Sequence, residues 1–143
     1  MSSYRIIDAS FALWLLLPGP YQEECQSLVT RWQMKKRQLC APTLWIYEIT
    51  SALSKGVYLG QIDRSEGQQA LTLAQQLGVQ IFPPDGLQTK LAFDWTMKLQ
   101  RASAYDSFYL ALAQTLRGEL WTADKRLTNA VNAPWIRLIP DAF

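Results

Sequence analysis

The sequence predicts an α/β fold in which a mainly parallel sheet lies between helical layers. Two observations lead there. Short β-like segments alternate with helical periods along the chain, the pattern of successive β–α units. No repeat, low-complexity stretch or linker interrupts them, so residues 1–143 read as one domain.

Taken in order, Tyr4 to Ile7 is a short strand with Asp8 at its end, and helical spacing follows through Leu17. A second helix is expected from Tyr21 to Lys36. Glu23 and Glu24 near its start and Lys35, Lys36 and Arg37 at its end suit the helix dipole, so this basic run reads as a helix terminus rather than an RNA patch. Gln38 to Ala41 forms a strand before Pro42. Leu44 to Lys55 is helical and is expected to stop near Gly56. Asp63 and Glu66 have capping-box spacing and open a helix to Leu77, which Gly78 ends. Val79 to Phe82 is β-like, and Pro83 to Gly86 reads as a turn. Leu87 to Leu99 and Tyr105 to Arg117 are helical, the second ended by Gly118. Glu119 to Thr122 is a strand, Asp124 to Val131 a helix, and Ile136 to Ile139 the last strand.

Composition narrows the chemistry. The chain is 49% hydrophobic and 18% charged, enough apolar content for a core and too little charge for a disordered chain. A net charge of +2 permits nucleic-acid binding without arguing for it. There is no histidine. That excludes Ser-His-Asp and Cys-His catalysis, histidine acid–base ribonuclease chemistry and histidine zinc sites. Cys25 and Cys40 have no metal-ligand spacing, and no secretory leader or membrane-spanning run is visible, so a cytoplasmic protein with reduced thiols is expected.

Of twelve acidic residues, most have local explanations at caps, turns or exposed helix faces. Asp94, for instance, can pair with Lys90 or Lys98. Four stand among apolar residues: Asp8, Glu48, Asp106 and Asp124. A carboxylate in such company is costly to bury unless paired, hydrogen-bonded or metal-bound. Asp8, Asp106 and Asp124 could each be an ordinary helix cap. Glu48 could not, and has no basic residue three or four positions away. Strand-end positions put Asp8 and Asp124 on the edge where parallel sheets bind ligands. Together the four would form an oxygen-only site suited to Mg²⁺ or Mn²⁺. Ser10 and Thr122, two residues from Asp8 and Asp124, could orient carboxylates or water, or serve only as local turn bonds.

At these residues the chain resembles the PIN-domain family and, within it, the VapC-like toxin ribonucleases. The resemblance rests on Ile6-Ile7-Asp8-Ala9-Ser10-Phe11, the glutamate-bearing stretch Ala41 to Leu53, Ala104-Tyr105-Asp106-Ser107-Phe108-Tyr109-Leu110, and Leu120-Trp121-Thr122-Ala123-Asp124. These motifs stand in family order over nearly the full chain. The resemblance implies a PIN-like three-layer α/β/α fold and an endoribonuclease dependent on Mg²⁺ or Mn²⁺. It also implies a homodimer and a VapB-type antitoxin as partner. Some relatives carry a further acidic residue after the fourth motif, where this chain has Thr128 and Asn129, so one metal is implied more directly than two.

The expected activity is therefore metal-dependent RNA hydrolysis. Asp8, Asp106 and Asp124 would hold metal, and Glu48 would hold metal or the attacking water. Lys55, Lys98, Arg101, Lys125 and Arg126 are candidate phosphate contacts, though isolated basic residues are more often plain surface. Trp45 and Trp121 adjoin the motifs but read as core. The alternatives are a catalytically silent PIN-like module that binds RNA or protein, and a phosphatase with Asp8 as nucleophile. The silent module gains nothing from four converging negative charges. The phosphatase commonly needs an acid where Ser10 stands.

Overall fold

The computed structural model describes residues 2–143. Five strands, β1 (Tyr4–Ile7), β2 (Gln38–Pro42), β3 (Gln80–Phe82), β4 (Glu119–Thr122) and β5 (Ile136–Leu138), form one sheet in the order β3-β2-β1-β4-β5. Every pairing is parallel. The seven helices among the described residues are α1 (Ala9–Leu16), α2 (Gln22–Met34), α3 (Leu44–Tyr58), α4 (Arg64–Gln76), α5 (Gly86–Leu99), α6 (Tyr105–Leu116) and α7 (Lys125–Val131). The first α/β crossovers build the sheet outward from β1 through β2 to β3. The chain then returns so that β4 pairs with the other side of β1. The reversal leaves a crevice at the carboxyl ends of β1 and β4, where α/β sheets bind ligands.

The layers follow from apolar faces. α1 packs on α2, α3 and α4, while α6 packs on α5 and on β1, β2 and β4. Between them lie Ile6, Ile7, Phe11, Leu110, Leu112 and Leu120, all fully buried. Trp45 and Trp121 are 2% and 4% exposed and belong to this core, as their sequence context suggests. Phe11 stacks on Trp32 at 5.7 Å between ring centroids, and Trp32 meets Trp121 edge-on at 5.0 Å.

Several expected boundaries shift. α3 runs through Gly56 to Tyr58, because Gly56 is buried against Ile62: a Cβ there would lie 3.2 Å from Ile62 Cγ1. The turn that follows uses Gly60, at φ 73°. Gly118 does not end α6 either. Arg117 takes the left-handed conformation, φ 52°, and Gly118 permits close approach to β1, since a Cβ would stand 2.5 Å from Ile6 Cδ1. α2 stops at Met34, so Lys36 and Arg37 lie beyond it. Asp85 is more than a turn residue, for its carboxylate accepts the Gln88 amide at 2.8 Å and starts α5 one residue early. The Asp63–Glu66 capping box forms as expected, with bonds of 2.8 and 3.0 Å. Asp94 makes no ion pair among the described residues, and Lys98 lies instead over the Trp95 ring at 4.9 Å.

Candidate active site

Asp8 leaves β1 at its carboxyl end and Asp124 follows β4 by two residues. The Asp8 amide donates to the Trp121 carbonyl at 3.3 Å, extending the ladder to the rim. Both aspartates cap helices: Asp8 Oδ1 accepts the Phe11 amide at 2.9 Å and Asp124 Oδ1 the Leu127 amide at 3.0 Å. Capping and a role in the site are thus not alternatives here, since each carboxylate has lone pairs beyond those its cap uses.

Ser10 and Thr122 join the two. Ser10 Oγ donates to Asp8 Oδ1 at 2.7 Å and Thr122 Oγ1 donates to Asp8 Oδ2. The Ala123 amide donates to Ser10 Oγ at 2.9 Å, and the Asp124 amide to Thr122 Oγ1 at 3.0 Å. The hydroxyls hold Asp8 and the β4–α7 turn in one network, so they are more than local turn bonds. Thr122 is fully buried.

Asp106 lies in the first turn of α6, beyond Ala104, which caps the helix without a side-chain bond. Asp106 is therefore not the N-cap. Its Oδ2 accepts from Arg101 at 3.1 Å. Glu48 sits in the second turn of α3, and its Oε1 accepts from the Tyr109 hydroxyl at 2.6 Å. No other hydrogen bond reaches Glu48 among the described residues.

These carboxylates sense one another. Burial pushes the Asp8 carboxyl from 3.8 up to about 6, against the opposing effect of its hydrogen bonds from Thr122, Phe11 and Ser10. The charge of Asp106 adds to the rise. Burial also raises Glu48, partly offset by Tyr109 and reinforced by Asp106. Asp106 is itself raised by burial, lowered by Arg101 and raised by Asp124. Asp106 is thus the electrostatic hub of the set. Burial and Glu48 push the Tyr109 phenol well above its ordinary range, so it remains a hydrogen-bond donor.

The side chains share an edge without closing on a point. Among the described residues, no three acidic or thiol side chains stand close enough to hold a metal ion. Each takes a donor of its own, which keeps like charges apart. The donor set still fits a hard cation: it is oxygen-only, and the burial cost carried by Asp8 is of the kind that a positive ion offsets. Cys25 and Cys40 are buried free thiols, pushed up to about 11 and about 12, and offer neither nucleophile nor soft ligand.

An open cleft of about 330 Å³ lies beside this edge, lined by Arg101, Ala102, Ser103, Asp106, Asp124 and Arg126. Of the five basic residues singled out, Arg101 and Arg126 line it, while Lys55, Lys98 and Lys125 do not. Sequence reasoning missed Tyr109. The available signal was a hydroxyl three residues after Asp106 on the same helix, in an otherwise apolar run.

The profile of the PIN domain family matches residues 5–132. The chain is 31% identical over 128 residues to a VapC ribonuclease of Mycobacterium bovis and to ribonuclease VapC9 of Mycobacterium tuberculosis. The match covers 90% of this chain and 91% of each relative. Its backbone resembles that of a toxin–antitoxin complex from Klebsiella pneumoniae, with a TM-score of 0.68, 16% identity and coverage of 93% and 95% of the two chains. It also resembles VapC20 of Mycobacterium tuberculosis, a sarcin-ricin loop cleaving toxin, with a TM-score of 0.65, 15% identity and coverage of 88% and 94%.

Proposed function

Because the chain belongs to the PIN domain family, we propose that it is an endoribonuclease hydrolysing RNA phosphodiester bonds at the acidic edge, with Mg²⁺ or Mn²⁺, as the toxin of a VapBC-like pair. The observation that carries this reading is the network linking Asp8, Ser10, Thr122 and the Asp124 amide, with Asp106 and Glu48 in electrostatic reach. A structural cap needs one of these bonds and not the whole arrangement.

Asp8, Asp106 and Asp124 would hold the cation directly, and Glu48 would hold the cation or its attacking water. When bound, it supplies positive charge to the phosphodiester and lowers the cost of deprotonating water. Ser10 and Thr122 keep both Asp8 oxygens in fixed directions. Glu48 Oε2, left without a hydrogen bond among the described residues, is free to accept a proton from attacking water. Arg101 and Arg126, on the cleft wall, would meet phosphate oxygens.

The test is incubation of purified protein with single-stranded RNA, single-stranded DNA and a small phosphate ester. RNA is expected to be cut with Mg²⁺ or Mn²⁺ and to stay intact in excess EDTA. Undiminished cleavage in EDTA would sink the metal mechanism. RNA bound but uncut would assign the chain to a silent PIN-like module, and hydrolysis of the ester alone to a phosphatase.

A VapB-type antitoxin is the proposed partner and a homodimer the proposed assembly, in the cytoplasm. No described helix is long and apolar enough to cross a membrane. Carboxylates that repel one another suit a bridging guanidinium, so the antitoxin should insert an arginine among them, with an apolar segment packed nearby for affinity. Co-expression with the adjacent reading frame should yield a stable complex that lacks nuclease activity, and light scattering should give the mass of a dimeric toxin. Harmless expression of active enzyme with no co-purifying partner would point to a stand-alone nuclease.

A further inference from the structure

Glu48 has no cation near it in sequence, and a carboxylate on a two-methylene stem has several rotamers at a half-buried position. One contact selects among them. The Tyr109 hydroxyl, carried from α6 across to α3, donates to Glu48 Oε1 at 2.6 Å. Tyr109 is 2% exposed, and its ring is packed in the core, so the hydroxyl cannot follow Glu48 if Glu48 moves. A hydrogen bond to one carboxylate oxygen narrows the directions open to the other, since both belong to one rigid planar group. The placement of the Glu48 carboxylate is therefore tied to the packing of Tyr109, and Oε2 has no competing hydrogen bond among the described residues.

Tyr109 also lies three residues after Asp106, on a neighbouring position of α6. One rigid helix thus carries both the hub aspartate and the group that orients Glu48. We propose that Tyr109 is a positioning residue: its hydroxyl sets Glu48 relative to Asp106 so that the two carboxylates address the same cation and water. This rests on the metal-dependent reading above. Partners that orient metal-binding side chains typically cost about 10–100-fold in affinity or activity when removed.

Tyr109→Phe removes one oxygen and keeps the ring in place. Mn²⁺ binding to the full chain, measured by calorimetry, is expected to weaken by about 10–100-fold, and RNA cleavage to slow by a similar factor. The readout specific to positioning is the double variant. In a Glu48→Gln background, Tyr109→Phe should weaken Mn²⁺ binding by less than about twofold further, because its effect passes through the Glu48 carboxylate. Mn²⁺ binding by Tyr109→Phe within about twofold of wild type would overturn the proposal while leaving the metal mechanism intact. So would an undiminished loss in the Glu48→Gln background, or a Tyr109→Phe chain that fails to fold, since the hydroxyl would then serve the fold and not the site. A wild-type chain that binds no Mn²⁺ overturns this proposal and the metal mechanism together.

Discussion

Asp106→Asn is expected to slow RNA cleavage by about 1000-fold or more while the chain stays folded. Asp106 is the one carboxylate whose charge is felt at Asp8 and Glu48 and which in turn feels Asp124. Removing that charge weakens the attraction for a cation from every side. The fold should survive, because Asp106 does not cap α6 and is only partly buried. The amide oxygen of asparagine can still accept from Arg101. Asp94→Asn is the control: it lies exposed on α5 without an ion pair and should change the rate by less than about twofold. Single-turnover cleavage of one RNA by both variants makes the comparison. Equal damage by the two would show that the acids have been sorted wrongly.

Asp8→Asn is expected to make the metal-free chain more stable at pH 7, and also inactive. Burial raises the Asp8 carboxyl from 3.8 to about 6, so the folded state holds its proton over a range in which the unfolded chain has lost it. Stability therefore falls as pH rises through that window. Below it, Asp8 is protonated in both states and contributes nothing. Above it, the ionised group carries the net penalty left after its hydrogen bonds offset part of the burial cost, about 3 kcal/mol. Asparagine keeps the size and an oxygen acceptor without the charge, so the variant should lack this downward slope. Urea unfolding in EDTA at pH 4, 5, 6 and 7 checks it. Wild type and variant with parallel pH profiles would show that Asp8 is not burdened by burial. Loss of the slope in the variant would show a candidate catalytic charge held at a cost in stability, the usual trade between site and fold.

The sequence by itself determined the element order, because apolar periodicity, caps and chain-reversing residues act locally. Asp63 and Glu66 close their capping box within three residues, and Glu119 to Thr122 is a strand with the expected ends. It also limited the chemistry on offer, since a histidine-free chain with carboxylates in apolar motifs has few side-chain donors other than oxygen. Tertiary structure decided what depends on distant residues. Gly56 and Gly118 look like helix stops along the chain and turn out to be close-approach positions, because Ile62, Ile6 and Tyr4 occupy the space a Cβ would need. Ser10 and Thr122 stand 112 positions apart, and only the β1–β4 pairing brings both hydroxyls to Asp8. The same holds for Glu48, whose partner Tyr109 lies 61 residues away. A buried carboxylate must find its donor in space, and parallel crossovers put that donor far along the chain.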